Sequence, residues 1–224
     1  MSPNRPLPLA NGPEGAPAHG QTVAPAPAPA PQARPTQHIV FDLETLGEGA
    51  DAVIATIGAV RIVRAADGPW ILADTFYERI SLDQPGRRFT GDVVAWWLSL
   101  GASPAAREIF EGQARNLIDF GKAVQRPPLE EVLDLFESWL TSMPPYHNMP
   151  IEGLWCKGAE FDIAILRDVY GGAAKMPWPY NAGRDVRTAE IATGVKTAKS
   201  DHHALHDAQA EAQVVLAFLN RFCP

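Results

Sequence analysis

The chain has 224 residues, a mass of 24.3 kDa, a formal net charge of −7 and a pI near 5.3, which suits one folded domain with extra length. Its 46% hydrophobic and 20% charged residues are ordinary for a soluble globular protein, and the acidic balance excludes a simple basic nucleic-acid coat. Two distant cysteines, Cys156 and Cys223, form no CxxC pair, which excludes a zinc ribbon and argues against a disulfide framework.

No apolar run approaches the ~20 residues of a membrane span. The N-terminus lacks the basic patch and apolar segment of a secretory signal, so a cytoplasmic location is expected. Residues 1–36 hold ten of the 21 prolines, mixed with Ala and Gly. Such a stretch favours extended conformations and cannot bury a core. It reads as a disordered tail, a tether or dispensable extension rather than a partner-docking element. Residues 37–224 can build a sizeable core.

Strand signals come first. His38–Leu43 reads as a buried strand, and Val53–Val63 is rich in β-branched residues, with Gly58 as a bulge or bend. Ala73–Ile80 alternates, so the three suggest an antiparallel meander. Thr90 can cap a short helix holding Val93, Val94, Trp96, Trp97 and Leu98. Over Pro127–Leu140, apolar residues recur at helical spacing behind a proline start. Leu154–Cys156 predicts a further strand and Ala159–Tyr170 a helix ending at Gly171-Gly172. Arg184–Ala192 is a weaker helix, and the last runs from about Ala204 to Phe222. Strands first, then helices alternating with strand, is an α/β pattern with a mixed sheet.

Three short strings carry candidate chemistry. In Ile39-Val40-Phe41-Asp42-Leu43-Glu44-Thr45, residues two apart share a strand face. Asp42 and Glu44 therefore project together, and two such carboxylates repel unless a cation neutralises them. Hard oxygen donors suit Mg²⁺ or Mn²⁺; the competing reading is an exposed acidic strand end. In Trp155-Cys156-Lys157-Gly158-Ala159-Glu160-Phe161-Asp162, Asp162 falls in a first helical turn, where the helix dipole alone could account for it. In His202-His203-Ala204-Leu205-His206-Asp207, Asp207 lies beside an apolar helix face where a lone charge is costly. The histidines lack an HExxH pattern, so zinc catalysis is a poor reading.

Taken together, D-x-E on a first strand, F-D at a later helix start and H-x-x-x-x-D on a final helix resemble the DEDDh 3′→5′ exonucleases. The resemblance spans essentially residues 37–224. Asp42-Leu-Glu-Thr-Leu-Gly47, Ala55-Thr-Ile-Gly-Ala59, Trp96-Trp97, Pro177-Trp178-Pro179-Tyr180 and Arg184-Asp185-Val186-Arg187-Thr188 look like the phage and bacterial exodeoxyribonuclease VIII-like subgroup. One departure is Cys156-Lys157, where relatives often carry Gly-Asn.

The resemblance implies a ribonuclease H-like α/β fold, with a central mixed five-stranded sheet flanked by helices. It implies two divalent ions, Mg²⁺ or Mn²⁺, held by Asp42, Glu44, Asp162 and Asp207. Asp42 would bridge the pair and Asp162 would support the second ion. His202, rather than His203, has the family spacing to Asp207 and would take the proton from water. The implied substrate is the 3′ end of single-stranded nucleic acid, DNA favoured and RNA the alternative, with nucleoside 5′-monophosphates as product. Thr45, Leu46, Trp97 and Lys157 would contact it, Leu46 wedging beside the last base. For Trp96 core packing is the better reading, and for Trp97 core packing and base stacking are evenly matched; Lys157, Arg184 and Arg187 could offset phosphate charge. A homodimer is a further expectation of the subgroup. The rival from another class is a non-catalytic ribonuclease H-like binding module.

Overall fold

The computed structural model describes residues 35–64, 68–111 and 126–223. The Pro/Ala-rich tail, residues 1–36, lies outside the described residues apart from Pro35 and Thr36. Three strands come first: β1 (Gln37–Thr45), β2 (Ile54–Arg64) and β3 (Trp70–Arg79). Helices α1 (Gly91–Ser99), α2 (Pro104–Phe110) and α3 (Leu129–Thr141) follow, then β4 (Ile151–Cys156) and α4 (Ala159–Val169). The chain ends with β5 (Gly183–Asp185), α5 (Val186–Thr193) and α6 (Ala204–Phe222).

The sheet order is β3-β2-β1-β4-β5. β1 pairs antiparallel with β2 and parallel with β4; β2–β3 is antiparallel and β4–β5 parallel. This is the mixed five-stranded sheet flanked by helices that the resemblance implied. Both faces of β1 and β2 are covered, so both strands are buried almost throughout. On one face Ile39, Phe41 and Leu43 pack with Phe136 and Leu140 of α3 and Ile165 and Leu166 of α4. On the other, Val40 and Val60 pack with Ala208, Ala212 and Val215 of α6. Removing a core ring such as Phe136 by Phe→Ala would cost ~3–5 kcal/mol. No described helix is long and apolar enough to cross a membrane.

Four local features differ from the sequence reading. Gly58 is no bulge: it pairs in regular register with Asp42. The glycine is needed because α6 crosses here. A Cβ at Gly58 would stand 2.2 Å from the Leu205 backbone nitrogen. Thr90 occupies the N-cap position of α1 without a side-chain cap bond; its Oγ1 instead accepts from the Glu48 N–H at 3.3 Å. The start of the expected Arg184–Ala192 helix is strand β5, and Asp185 then caps α5 by accepting from the Arg187 N–H at 2.8 Å. Helix α2 was not expected, although Ser103 caps it and Pro104 opens it.

Candidate active site

Asp42 and Glu44 share the side of β1 that faces α6, as residues two apart on a strand must. β1 and β4 run parallel and so end at the same edge of the sheet, the edge at which α/β sheets hold ligands. Just past the end of β4 the chain turns through Gly158, in a left-handed conformation at φ +119°, into α4. That turn sets Asp162 in the first helical turn, 4% exposed. Asp207 lies in the first turn of α6, which the bare Gly58 lets settle directly against the strands.

The four carboxylates, from three distant stretches, therefore lie close enough to repel one another. Burial, then repulsion from Glu44, Asp162, Glu211 and Asp207, holds the Asp42 carboxyl well above its ordinary range. Burial, then Asp207 and Asp162, raises Glu44. Burial also raises Asp162, against a hydrogen bond from the Cys156 thiol and the charge of Arg187. Buried anions of this kind are stable when a cation sits among them. One donor atom each from Glu44, His202 and Asp207 lies within 4.8 Å of the others. That span is close to the ~4.2 Å across a Mg²⁺ with ligands at ~2.1 Å. The oxygen-rich donor set thus fits a hard divalent ion.

His202 stands on the loop before α6 with φ +59°, a left-handed conformation uncommon for a residue with a side chain. Ser200 holds it there. The Ser200 hydroxyl accepts from the His202 N–H at 3.1 Å, lies 3.4 Å from the imidazole Nδ1 and donates to Asp207 Oδ2. The loop is tied to α5 at Glu190, which accepts from the Thr197 N–H at 2.9 Å and the Thr197 hydroxyl at 2.6 Å. His203 points elsewhere, stacked between Tyr77 and His206.

The residues expected to touch substrate are placed less uniformly. Trp97 is 1% exposed, and its indole N–H donates to the Thr45 carbonyl at 2.9 Å. Leu46 is buried in the same cluster, with Val53, Ala55 and Ile109. Thr45 is buried, its hydroxyl donating to the Gly47 carbonyl. The exposed ring is Trp96, 41% accessible, which meets the His202 imidazole edge-on at 4.9 Å. The Lys157 amine is paired with Glu190 at 3.2 Å, Arg184 donates to the carbonyls of Asn181 and Gly183, and Arg187 lies 3.4 Å from Asp185.

Two residues of this site escaped the sequence reading, Ser200 and Glu211. Glu211 follows Asp207 by four residues, so it shares the helix face that carries Ala208 and Ala212; an acid on that apolar stripe was the available signal. Ser200 left no comparable sign.

Residues 37–219 match the family described as the 3′-5′ exoribonuclease Rv2179c-like domain. No curated protein matches the chain. Among solved structures, a full-length 3′-exonuclease superposes with a TM-score of 0.48 at 12% identity, covering 86% of this chain and 63% of its own. A 3′-exonuclease described for 3′-end specific recognition of a histone mRNA stem-loop gives 0.48 at 13%, covering 84% and 64%. The cell-death related nuclease 4 (CRN-4) gives 0.45 at 10%, covering 83% and 64%. The chain thus spans a little under two thirds of the length of these structures.

Proposed function

Because the chain belongs to the Rv2179c-like 3′-5′ exoribonuclease domain family, we propose that it is a metal-dependent exonuclease removing nucleotides from single-stranded 3′ ends. The observation that supports this reading is that Asp42, Glu44, Asp162 and Asp207 lie within electrostatic reach of one another, with donor atoms of His202, Glu44 and Asp207 gathered together. The family description puts RNA first as substrate. DNA, which the exodeoxyribonuclease VIII-like motifs favour, is the second reading. A homodimer and a cytosolic location complete the proposal.

Two Mg²⁺ or Mn²⁺ ions held by the four carboxylates would supply Lewis acidity and charge neutralisation for an in-line displacement at phosphorus. The chain's own groups do the rest. His202 accepts the proton of the attacking water, and Ser200, between its ring and Asp207, fixes the ring's direction. The water oxygen becomes part of the released nucleoside 5′-monophosphate, and the departing 3′-oxygen takes up a proton to leave a new 3′-hydroxyl. Trp96, rather than the enclosed Trp97, offers its face to the terminal base, a contact of ~1–3 kcal/mol. Lys157 can turn to phosphate only by giving up Glu190.

The test is degradation of 3′-labelled RNA and DNA single strands of one sequence with Mg²⁺ or Mn²⁺. Metal-dependent release of mononucleotides, stopped by EDTA and absent in Asp42→Ala, is expected, with RNA cut faster. Strands that are bound yet stay intact under every metal would instead support the non-catalytic module.

A further inference from the structure

Asp207 is not the only acid that α6 turns inward. One helical turn on, Glu211 is 3% exposed, on the stripe that otherwise holds Ala204, Ala208, Ala212, Val215 and Leu219. The backbone of Lys157, just past the end of β4, hydrogen-bonds to its carboxylate. Its Oε2 is buried and has no hydrogen-bond partner among the described residues. Its charged neighbours are mostly of its own sign. Asp162 weighs most on it, ahead of Lys157, and Asp207 adds further repulsion; Asp42 in turn feels Glu211. The nearby Lys157 amine does not settle the account, because it lies 3.2 Å from Glu190.

A buried carboxylate left half-satisfied beside other acids is costly, and a leucine would fill this place on an apolar stripe at less expense. The arrangement also has a direction. Donor atoms of Glu44, His202 and Asp207 gather together. Among the acids, Asp162 weighs more on Glu211 than Asp207 does, and Asp42 feels Glu211 as well, whereas Glu211 is not among the charges that weigh on Glu44. Glu211 therefore stands toward Asp162 and Asp42 rather than Glu44, one helical turn beyond Asp207 and against the turn that leads from β4 into α4.

We infer that Glu211 is a fifth acidic ligand of the metal centre, offering Oε2 to the ion on the Asp42–Asp162 side. This rests on the metal-dependent reading above and adds to it a donor that the D-x-E, F-D and H-x-x-x-x-D strings do not contain. Glu211 would hold that ion by direct contact, where the resemblance leaves Asp162 to support it.

The experiment is calorimetric titration of the metal-free full chain with MnCl₂, in wild type, Glu211→Gln, Glu211→Leu and Asp42→Asn, with melting temperatures recorded in EDTA. Wild type takes up two ions. Both Glu211 variants are expected to weaken the second by at least about tenfold and leave the first unchanged. In EDTA both variants should melt at or above wild type, since each removes a buried, half-satisfied acid from among other acids. Wild-type affinity for both ions in either variant overturns the inference, and so does a lower metal-free melting temperature, which would make Glu211 a structural group. Failure of the underlying reading looks different: wild type itself takes up no Mn²⁺, or Asp42→Asn binds as wild type does.

Discussion

The same pair of strands buries charge twice, with opposite outcomes. Arg61 of β2 lies opposite Ile39 of β1 and is wholly buried. The protein answers it completely. Its Nε donates to Asp74 Oδ1 at 2.8 Å, and its guanidinium donates to the Gln37 side chain and the Trp139 carbonyl. The Trp139 and Tyr146 rings lie 4.2 Å and 4.9 Å from its central carbon. A few residues along, where Asp42 pairs with Gly58, the buried charges are negative and press on one another. The first cluster is closed by its own side chains and reads as structure. The second is not closed by side chains among the described residues, and the proposed ions would close it. Unanswered charge, more than charge itself, separates a working site from a buried ion pair.

Breaking each cluster should therefore have opposite signatures. Asp42→Ala is expected to lower kcat/KM by ~10³-fold or more, since several kcal/mol of charge stabilisation are lost at tenfold per 1.4 kcal/mol. Its melting temperature in EDTA should hold or rise; nuclease assays beside thermal melts read both. Arg61→Leu should do the reverse. Leaving Asp74 and Gln37 without their cation costs about 3–5 kcal/mol in urea denaturation, with kcat per folded molecule unchanged. Trp96→Ala sharpens the comparison beside His202. Loss of a stacking surface worth ~1–3 kcal/mol should appear in KM for short single strands and leave metal affinity alone.

The smallest effect is in pH. Burial and like charge raise the folded-state carboxyls, Glu211 to about 8 from an ordinary 4.5, with Glu44 and Asp162 raised as well. Between those limits the folded chain holds more protons than the unfolded one. Metal-free stability should therefore be greatest at low pH within this window and fall as pH rises toward about 8. Bound Mn²⁺ requires the deprotonated ligands and should flatten or reverse that slope. Melts at pH 6 and pH 8, in EDTA and in Mn²⁺, show whether the sign is right.

Much of this was legible in the residues because it followed from period and position. Helix α6 was read at its observed bounds, Ala204 to Phe222, from an apolar face that repeats over its whole length. The alternation of β1 by itself puts Asp42 and Glu44 on one side. The fifth strand was not legible: Gly183–Asp185 is short and mostly exposed, so no hydrophobic pattern marks it, and a five-stranded sheet was expected only through the resemblance. Gly58 was misread because the reason for a glycine there is a helix backbone some 150 residues away in the chain, which no local pattern contains. The two tryptophans illustrate the same limit. Adjacent helical residues point ~100° apart, which says that they differ but not which faces the core, and the expectation that Trp96 packs inward is reversed: Trp96 is exposed and Trp97 buried. The contact of Trp97 with the Thr45 carbonyl decides it.

The most direct measurement is a crystal of the full chain grown with MnCl₂ and read by anomalous scattering at the manganese edge. Two peaks are predicted among the four carboxylates, one touching Glu44 and Asp207, the other toward Asp162, with Asp42 between them. Manganese absent from those carboxylates, or held only at a surface elsewhere, would contradict the account.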